Sequence, residues 1–376
     1  MFPPQMASVF IRWLTKPGDA VYDPFSGRGT VALEAGLQGR YGYGADANPL
    51  AHALTKAKVQ IPAEAAVLER LAELEEEYRA GTLSLEDAPP HIRMLYSPRT
   101  LKQICFLRQR LSRRGTVDPF IVALVLGMLH ANHSSEGATR GFSISMPNTF
   151  AMAPGYVQRY IAQKGLDAPD VEVFEMLRAK ARSYSLPEKR ISHGGSWQAD
   201  AALAAPKDVR EAKPKLIFTS PPYLQVIKYG KYNWVRLWFL GEQPREVDAE
   251  LMASASLPKY LDFMERVLRK MKQTLPPSGY LCLVIGDVRR DEEHLNLARE
   301  VWERVALPEG WYRHGMIVDA LPEGQKVSRI WKTNPGRATK TDRLLLLSPT
   351  ETSLPALEEI DWSSTPDLTR ATKEGS

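Results

Sequence analysis

The sequence predicts an α/β protein: an open, mostly parallel sheet covered by helices and interrupted by a mainly helical insertion. Three observations point there. Residues Gly18 to Asp46 read as a short strand, a glycine turn, a helix and a second strand. Lys215-Leu-Ile-Phe218 and Tyr280-Leu-Cys-Leu-Val-Ile285 are short, apolar runs of the kind strands show when both faces are buried. The segment between them and the first unit, residues 61–185, turns instead to helical spacing.

Taken in order, the chain opens with a short apolar helix within Phe2 to Phe10, then the unit ending at Asp46, and this first part closes near residue 60. The insertion begins with the acidic stretch Glu64 to Glu77, which reads as a solvated helix, and passes a Pro89-Pro90 break. Arg93, Arg99, Lys102, Arg108, Arg110, Arg113 and Arg114 then alternate with Leu101, Ile104, Cys105, Phe106 and Leu111, the spacing of an amphipathic helix with a basic face. Gly141 to Phe150 reads as a loop rich in hydroxyls and aromatics, either a structural connector or a surface for a ligand. The rest of the sheet falls in 186–350. Helix Tyr260 to Leu275 ends at Pro276-Pro277 and leads into the central strand Tyr280 to Ile285, which Gly286-Asp287 should close. Met316 to Ala320 and Arg343 to Leu347 read as two further strands around a polar connection carrying Lys326, Arg329, Lys332, Arg337 and Lys340. Residues 351–376 read as a polar, mobile tail.

With 376 residues and 44% apolar content, the chain is long enough for a large catalytic domain and a second module. Cys105 and Cys282 supply no disulfide framework, so a reducing cytoplasm is the expected compartment. Phe120 to Leu129, the longest apolar stretch, is too short to cross a bilayer, and no membrane partner is expected. A net charge of +5 is compatible with a nucleic-acid partner.

The chemistry concentrates in two places. Thr219-Ser-Pro-Pro-Tyr223 follows a buried strand directly, and its prolines end the ladder and stiffen the backbone. Ser220 offers a hydroxyl, Pro221 a carbonyl, Pro222 rigidity and Tyr223 a flat face, a set suited to gripping an exocyclic amino group while a ring stacks. A plain proline-rich turn is the alternative. In the second place, Gly27 and Gly29 let a ligand approach the backbone, and Asp46 ends the next strand where it can accept bonds from ribose hydroxyls. Asp46 could equally cap the helix starting at Asn48-Pro49, and Gly27-Arg-Gly29-Thr-Val-Ala32 also fits a dinucleotide fingerprint. His130 and His133 have no supporting ligand cluster, so no metal is expected.

Ser220-Pro-Pro-Tyr223 is similar to the fourth motif of the DNA amino-methyltransferases, which methylate cytosine N4 or adenine N6, and Asp23-Pro24-Phe25 resembles their first. The resemblance implies a Rossmann-like class I methyltransferase sheet with an antiparallel edge strand, and S-adenosylmethionine as cofactor. It places Asp23 near the methionine end, with Phe25 lining the site beside Pro24, Gly27, Gly29, Thr30 and Asn48. Phe2-Pro3 resembles the segment contacting the methionine part, and the resemblance sets Trp197 near the adenine ring and Asp200 near its amino group. The serine form looks like the cytosine-N4 members, whereas adenine members more often carry Asp or Asn there. The cofactor motif here precedes the catalytic one, the reverse of the commonest arrangement of Ser-Pro-Pro-Tyr members, which keeps adenine N6 open as the target; an RNA base is a further alternative. Double-stranded DNA is the implied partner, and a cognate restriction endonuclease is compatible with it. Target recognition is then expected in the insertion, with Arg108, Arg110, Arg113 and Arg114 meeting phosphates, helped by Lys332 and Arg337 in the basic loop. A solvated helix face is the alternative for the arginines. The implied reaction is direct methyl transfer to a base turned out of the duplex.

Overall fold

A computed structural model describes residues 2–81, 88–131, 141–145, 152–184, 194–222, 224, 228–251, 254, 256–290, 293–320 and 338–356. Its strands are β1 (Ala20–Asp23), β2 (Tyr41–Asp46), β3 (Gly195–Gln198), β4 (Leu216–Thr219), β5 (Tyr280–Arg290), β6 (Glu293–Leu295), β7 (Tyr312–Ala320) and β8 (Ala338–Ser348). Seven of them lie in the order β3-β2-β1-β4-β5-β8-β7, with β6 folded back on β5. The first five in that order are parallel. β8 runs antiparallel between β5 and β7, so the antiparallel pairing sits at one side of the sheet and the reversed strand lies one place in from β7. The mostly parallel sheet with antiparallel pairing at one side is the arrangement the motifs imply.

Both faces of the sheet are covered, which explains the unbroken apolar runs. Val21, Leu216, Phe218, Cys282 and Val284 face the helices Pro4–Leu14 and Thr30–Leu37, while Ile217, Leu281, Leu283 and Ile285 face the helices Leu257–Thr274 and Leu297–Val301. Pro258 opens the helix Leu257–Thr274, and Tyr260, Met264, Val267 and Met271 recur at the spacing that gives it one buried stripe. β5 does not stop at Gly286-Asp287. A register shift between Gly286 and Val288 absorbs the glycine and the strand continues to Arg290, paired with β8 and β6.

The insertion builds a second apolar core from the helices Glu64–Arg79, Pro98–Arg110, Val117–Met128 and Val173–Ser183. The acidic helix is not solvated all round. Val67, Leu71 and Leu74 fall at i, i+4 and i+7, and all three are buried. The basic stretch is likewise broken, because Ser97 caps a helix with Pro98 in its first turn and Arg113 and Arg114 lie beyond its end at Arg110. Phe142 and Ile144 are buried and bond to the Met128 and Leu95 carbonyls, so residues 141–145 are structural connector. The core also takes in Trp234, Val235, Leu237 and Phe239, which follow β4 in sequence, so it draws on the chain after the insertion too. The start of the polar tail is anchored rather than loose: Trp13 Nε1 donates to the Pro355 carbonyl at 2.8 Å and the Tyr280 hydroxyl to the Ser353 carbonyl at 2.7 Å.

Candidate active site

β1 lies between β2 and β4, and the chain passes from one half of the sheet to the other at that point. The loops leaving the carboxyl ends of β1, β2 and β4 therefore meet at a topological switch point, where open α/β sheets form ligand crevices. Both motifs are on those loops.

The loop after β1 is assembled from backbone donors and buried acceptors. The Asp46 carboxylate, at the end of β2, accepts the Gly27 N–H on Oδ2 at 2.9 Å and the Asn48 N–H on Oδ1 at 2.9 Å. Asn48, not Asp46, is the cap: its Oδ1 accepts the Leu50 N–H at 3.0 Å ahead of Pro49. Ser26 N–H bonds the Ala45 carbonyl, and Gly29 N–H bonds the Ser26 carbonyl at 2.7 Å. Gly29 starts the helix Thr30–Leu37 in the left-handed region at φ 74°, and a Cβ there would sit 2.9 Å from the Thr55 backbone, so no other residue fits. At Gly27 a Cβ would meet only the Phe25 carbonyl at 3.8 Å, leaving this part of the turn open to approach.

Asp23 is buried, and its Oδ1 accepts the Phe25 N–H at 3.0 Å and the Thr219 hydroxyl at 2.5 Å. Burial pushes its carboxyl up to about 7 against those two bonds, with the nearby Asp46 charge adding to the rise. Burial likewise pushes Asp46 up to about 6, opposed by its bonds to Asn48 and Gly27. Two carboxylates so placed are a fit for a cationic, hydroxyl-bearing nucleoside ligand, because each keeps acceptor capacity beyond its internal bonds.

The loop after β4 begins at Ser220, half-buried, followed by the buried Pro221 and the half-buried Pro222. Tyr223 lies outside the described residues, as do Lys332 and Arg337. Phe2 packs edge-on against Phe218 of β4, ring centroids 5.2 Å apart, and Pro3 caps the following helix, which brings the amino-terminal segment to the same strand. Pro24 is buried, and Phe25 faces Phe263 at 6.1 Å. Trp197 and Asp200 stand two strands from β1. The Trp197 ring turns back over Gly195 and against Tyr43 at 5.9 Å, lining a surface groove of about 570 Å³ with Lys56, Ser196 and Asp208. Asp200 is exposed, its Oδ1 accepting the Ala202 N–H at 2.8 Å.

Most of the insertion's arginines singled out in the sequence have partners within the protein. Arg108 lies over the Trp238 ring and donates to its carbonyl at 2.9 Å, Arg113 donates to the Phe239 carbonyl, and Arg110 pairs with Glu77 at 3.0 Å. Packing against the helix Trp234–Leu240 thus occupies Arg108 and Arg113, while Arg114 stands exposed beyond the end of its helix. Sequence reading passed over Thr219, Ser26 and Thr55. The signal for Thr219 is a hydroxyl at the end of an otherwise apolar strand; Ser26 and Thr55, 3.0 Å apart through their hydroxyls, give no local sequence sign of their pairing.

Residues 1–57, which hold β1, β2 and the glycine loop, match the family model N6_N4_Mtase, described as DNA methylase. That match covers the first 57 of 376 residues, so the likeness to the DNA methylases lies in the amino-terminal part of the chain. The match ends well before the Ser-Pro-Pro loop. Among solved structures the chain is similar to TrmN from Thermus thermophilus, at 13% identity and a TM-score of 0.33, over 92% of this chain and 49% of that one. It spans about half the length of that protein. It is also similar to the rRNA methyltransferase aviRa from Streptomyces viridochromogenes, at 12% identity and 0.34, over 93% of this chain and 85% of the other. A third likeness is to a provisionally assigned DNA modification methylase, also from Thermus thermophilus, at 19% identity and 0.22, over 40% and 54%. No curated protein matches the chain. Among the described residues no helix is long and apolar enough to cross a membrane.

Proposed function

We propose that the protein transfers a methyl group from S-adenosylmethionine to the exocyclic N4 amine of a cytosine turned out of double-stranded DNA. The observation that carries this reading is the meeting of two motifs at one sheet edge: the DNA-methylase cofactor loop after β1 and Ser220-Pro-Pro after β4, joined by the Thr219–Asp23 bond. The cofactor, when bound, supplies an electrophilic sulfonium methyl. Asp46 would hold its ribose hydroxyls and Asp23 its cationic methionine end, and the backbone at Gly27 would lie against it, with Phe2, Pro3, Phe25, Thr30 and Asn48 completing the set. Trp197 and Asp200 would have to reach it from β3, and of the assigned set they have the least local support.

The amine of cytosine is a poor nucleophile because its lone pair is delocalised into the ring. Ser220 Oγ and the Pro221 carbonyl would accept its two N–H bonds, favour a pyramidal nitrogen and aim the lone pair. Prolines suit this task. They have no N–H to compete for the carbonyl, and their fixed φ holds the acceptors in one arrangement. Tyr223 would replace the stacking the base loses on leaving the duplex. No covalent intermediate is needed, and Cys105 and Cys282 are both buried away from such a role. Double-stranded DNA is the proposed partner, with Arg114, Lys332 and Arg337 as phosphate contacts and a cognate restriction endonuclease as an associated activity; the cytoplasm is the proposed site of action. Incubation with radiolabelled S-adenosylmethionine and either duplex DNA or RNA tests the substrate. Label entering DNA is the expected result. Label entering RNA alone, or binding of NAD in place of S-adenosylmethionine, would contradict it.

A further inference from the structure

Thr219 is fully buried at the last position of β4, where valine would fill nearly the same volume. A buried hydroxyl costs stability unless it is bonded, so its presence needs a partner. That partner is the Asp23 carboxylate on the neighbouring strand, 196 residues away in sequence and 2.5 Å away in space. The bond joins the last residue before the Ser-Pro-Pro loop to the first residue of the Asp-Pro-Phe loop. Pro221 and Pro222 have no N–H with which to tie their own loop down, so the Thr219 side chain adds an anchor at its root beside the pairing of Thr219 with Leu283 of β5.

We propose that Thr219 is a positioning residue, whose hydroxyl locks the amine-holding loop to the cofactor loop through the Asp23 carboxylate. This rests on the reading of Ser220–Pro222 as the loop that holds the amine. The groups facing Asp23 are Thr219 on β4, the Phe25 N–H, the Asp46 carboxylate on β2, and Tyr22, whose phenol is raised first by burial and then by the charges of Asp23 and Asp46. Asp46 opposes ionisation of Asp23, and the two hydrogen bonds favour it.

Thermal melting of the full chain without ligand, from pH 4 to 9, tests the link in wild type, Thr219→Val, Thr219→Ser and Asp23→Asn. A carboxyl raised by folding makes the folded state hold more protons than the unfolded one, so stability should fall as pH rises toward about 7 and then level. In Thr219→Val the levelling point should move up by at least about half a pH unit, because the charged form loses a donor. Thr219→Ser should restore the wild-type position. Asp23→Asn should remove this part of the descent, and adding Thr219→Val to it should move nothing further. Alongside, Thr219→Val should lower kcat for methyl transfer about tenfold while S-adenosylmethionine affinity above pH 8 stays near wild type. Thr219→Ala, with the opposite packing defect and the same lost donor, repeats the comparison if the valine variant folds poorly. Coincident melting profiles for wild type and Thr219→Val, or a shift that serine does not reverse, would overturn the proposal. The melting series needs no substrate, so a wild type that methylates nothing would overturn the functional reading without touching this result.

Discussion

The loops after β1 and β4 leave adjacent parallel strands at one edge of the sheet, yet they are held by opposite means. The first is glycine-rich and keeps its amides, and it spends them: Gly27 on Asp46, Phe25 on Asp23, Ser26 and Gly29 on carbonyls. The second is proline-rich and has few amides to spend. Beyond the pairing of Thr219 with Leu283, its root is tied by a side-chain hydroxyl reaching to the same Asp23 that braces the first loop. A loop that must approach a ligand with its backbone needs residues without side chains and acceptors that hold it open. A loop that must present its own carbonyl needs prolines and an anchor outside itself.

The comparison is broken most severely at the second loop. Ser220→Ala removes the proposed acceptor for the amine, and methyl transfer is expected to drop by at least about 10²-fold, with S-adenosylmethionine affinity little changed; equal loss of binding and turnover, by calorimetry and single-turnover assay, would merge the two roles. Asp46→Ala acts on the first loop. It strands the Gly27 and Asn48 amides and removes the proposed ribose acceptor, so cofactor affinity should weaken by about 10- to 100-fold, the value of one or two bonds to a charged group. Gly29→Ala should destabilise the fold by about 1–3 kcal/mol in denaturant titration, since it forces a Cβ at φ 74° against Thr55. Arg110→Ala lies outside both loops. Its exposed pair with Glu77 is worth at most about 0.5–1 kcal/mol, so stability should hardly move.

Much of the sheet was legible because helix cover on both faces turns its central strands into plain apolar runs, as in Leu216–Phe218 and Tyr280–Ile285. The Asp-Pro-Phe and Ser-Pro-Pro segments were legible for a different reason: their backbones need glycine and proline at particular places, and those residues stand out. Strand pairing was less so. That β5 runs on past Gly286 depends on β8, more than fifty residues later, offering a partner across the register shift. The partners of the basic stretch 93–114 were not legible either, because sequence shows a charge but not the carbonyl it meets. Arg108 and Arg113 find theirs on the helix Trp234–Leu240, more than a hundred residues away. The Thr219–Asp23 bond belongs to the same class: both residues stand in motifs, but nothing local links them, and only the parallel pairing of β1 with β4 joins them.

The most direct test of the central claim is nucleoside mass spectrometry of mixed genomic DNA after incubation with the purified protein and isotopically labelled S-adenosylmethionine. Labelled N4-methylcytosine, absent when Ser220→Ala replaces the wild type, is the predicted result. Labelled N6-methyladenine with no N4-methylcytosine would contradict the serine-based assignment of the target base, and no labelled nucleoside from either DNA or RNA would contradict the assigned activity itself.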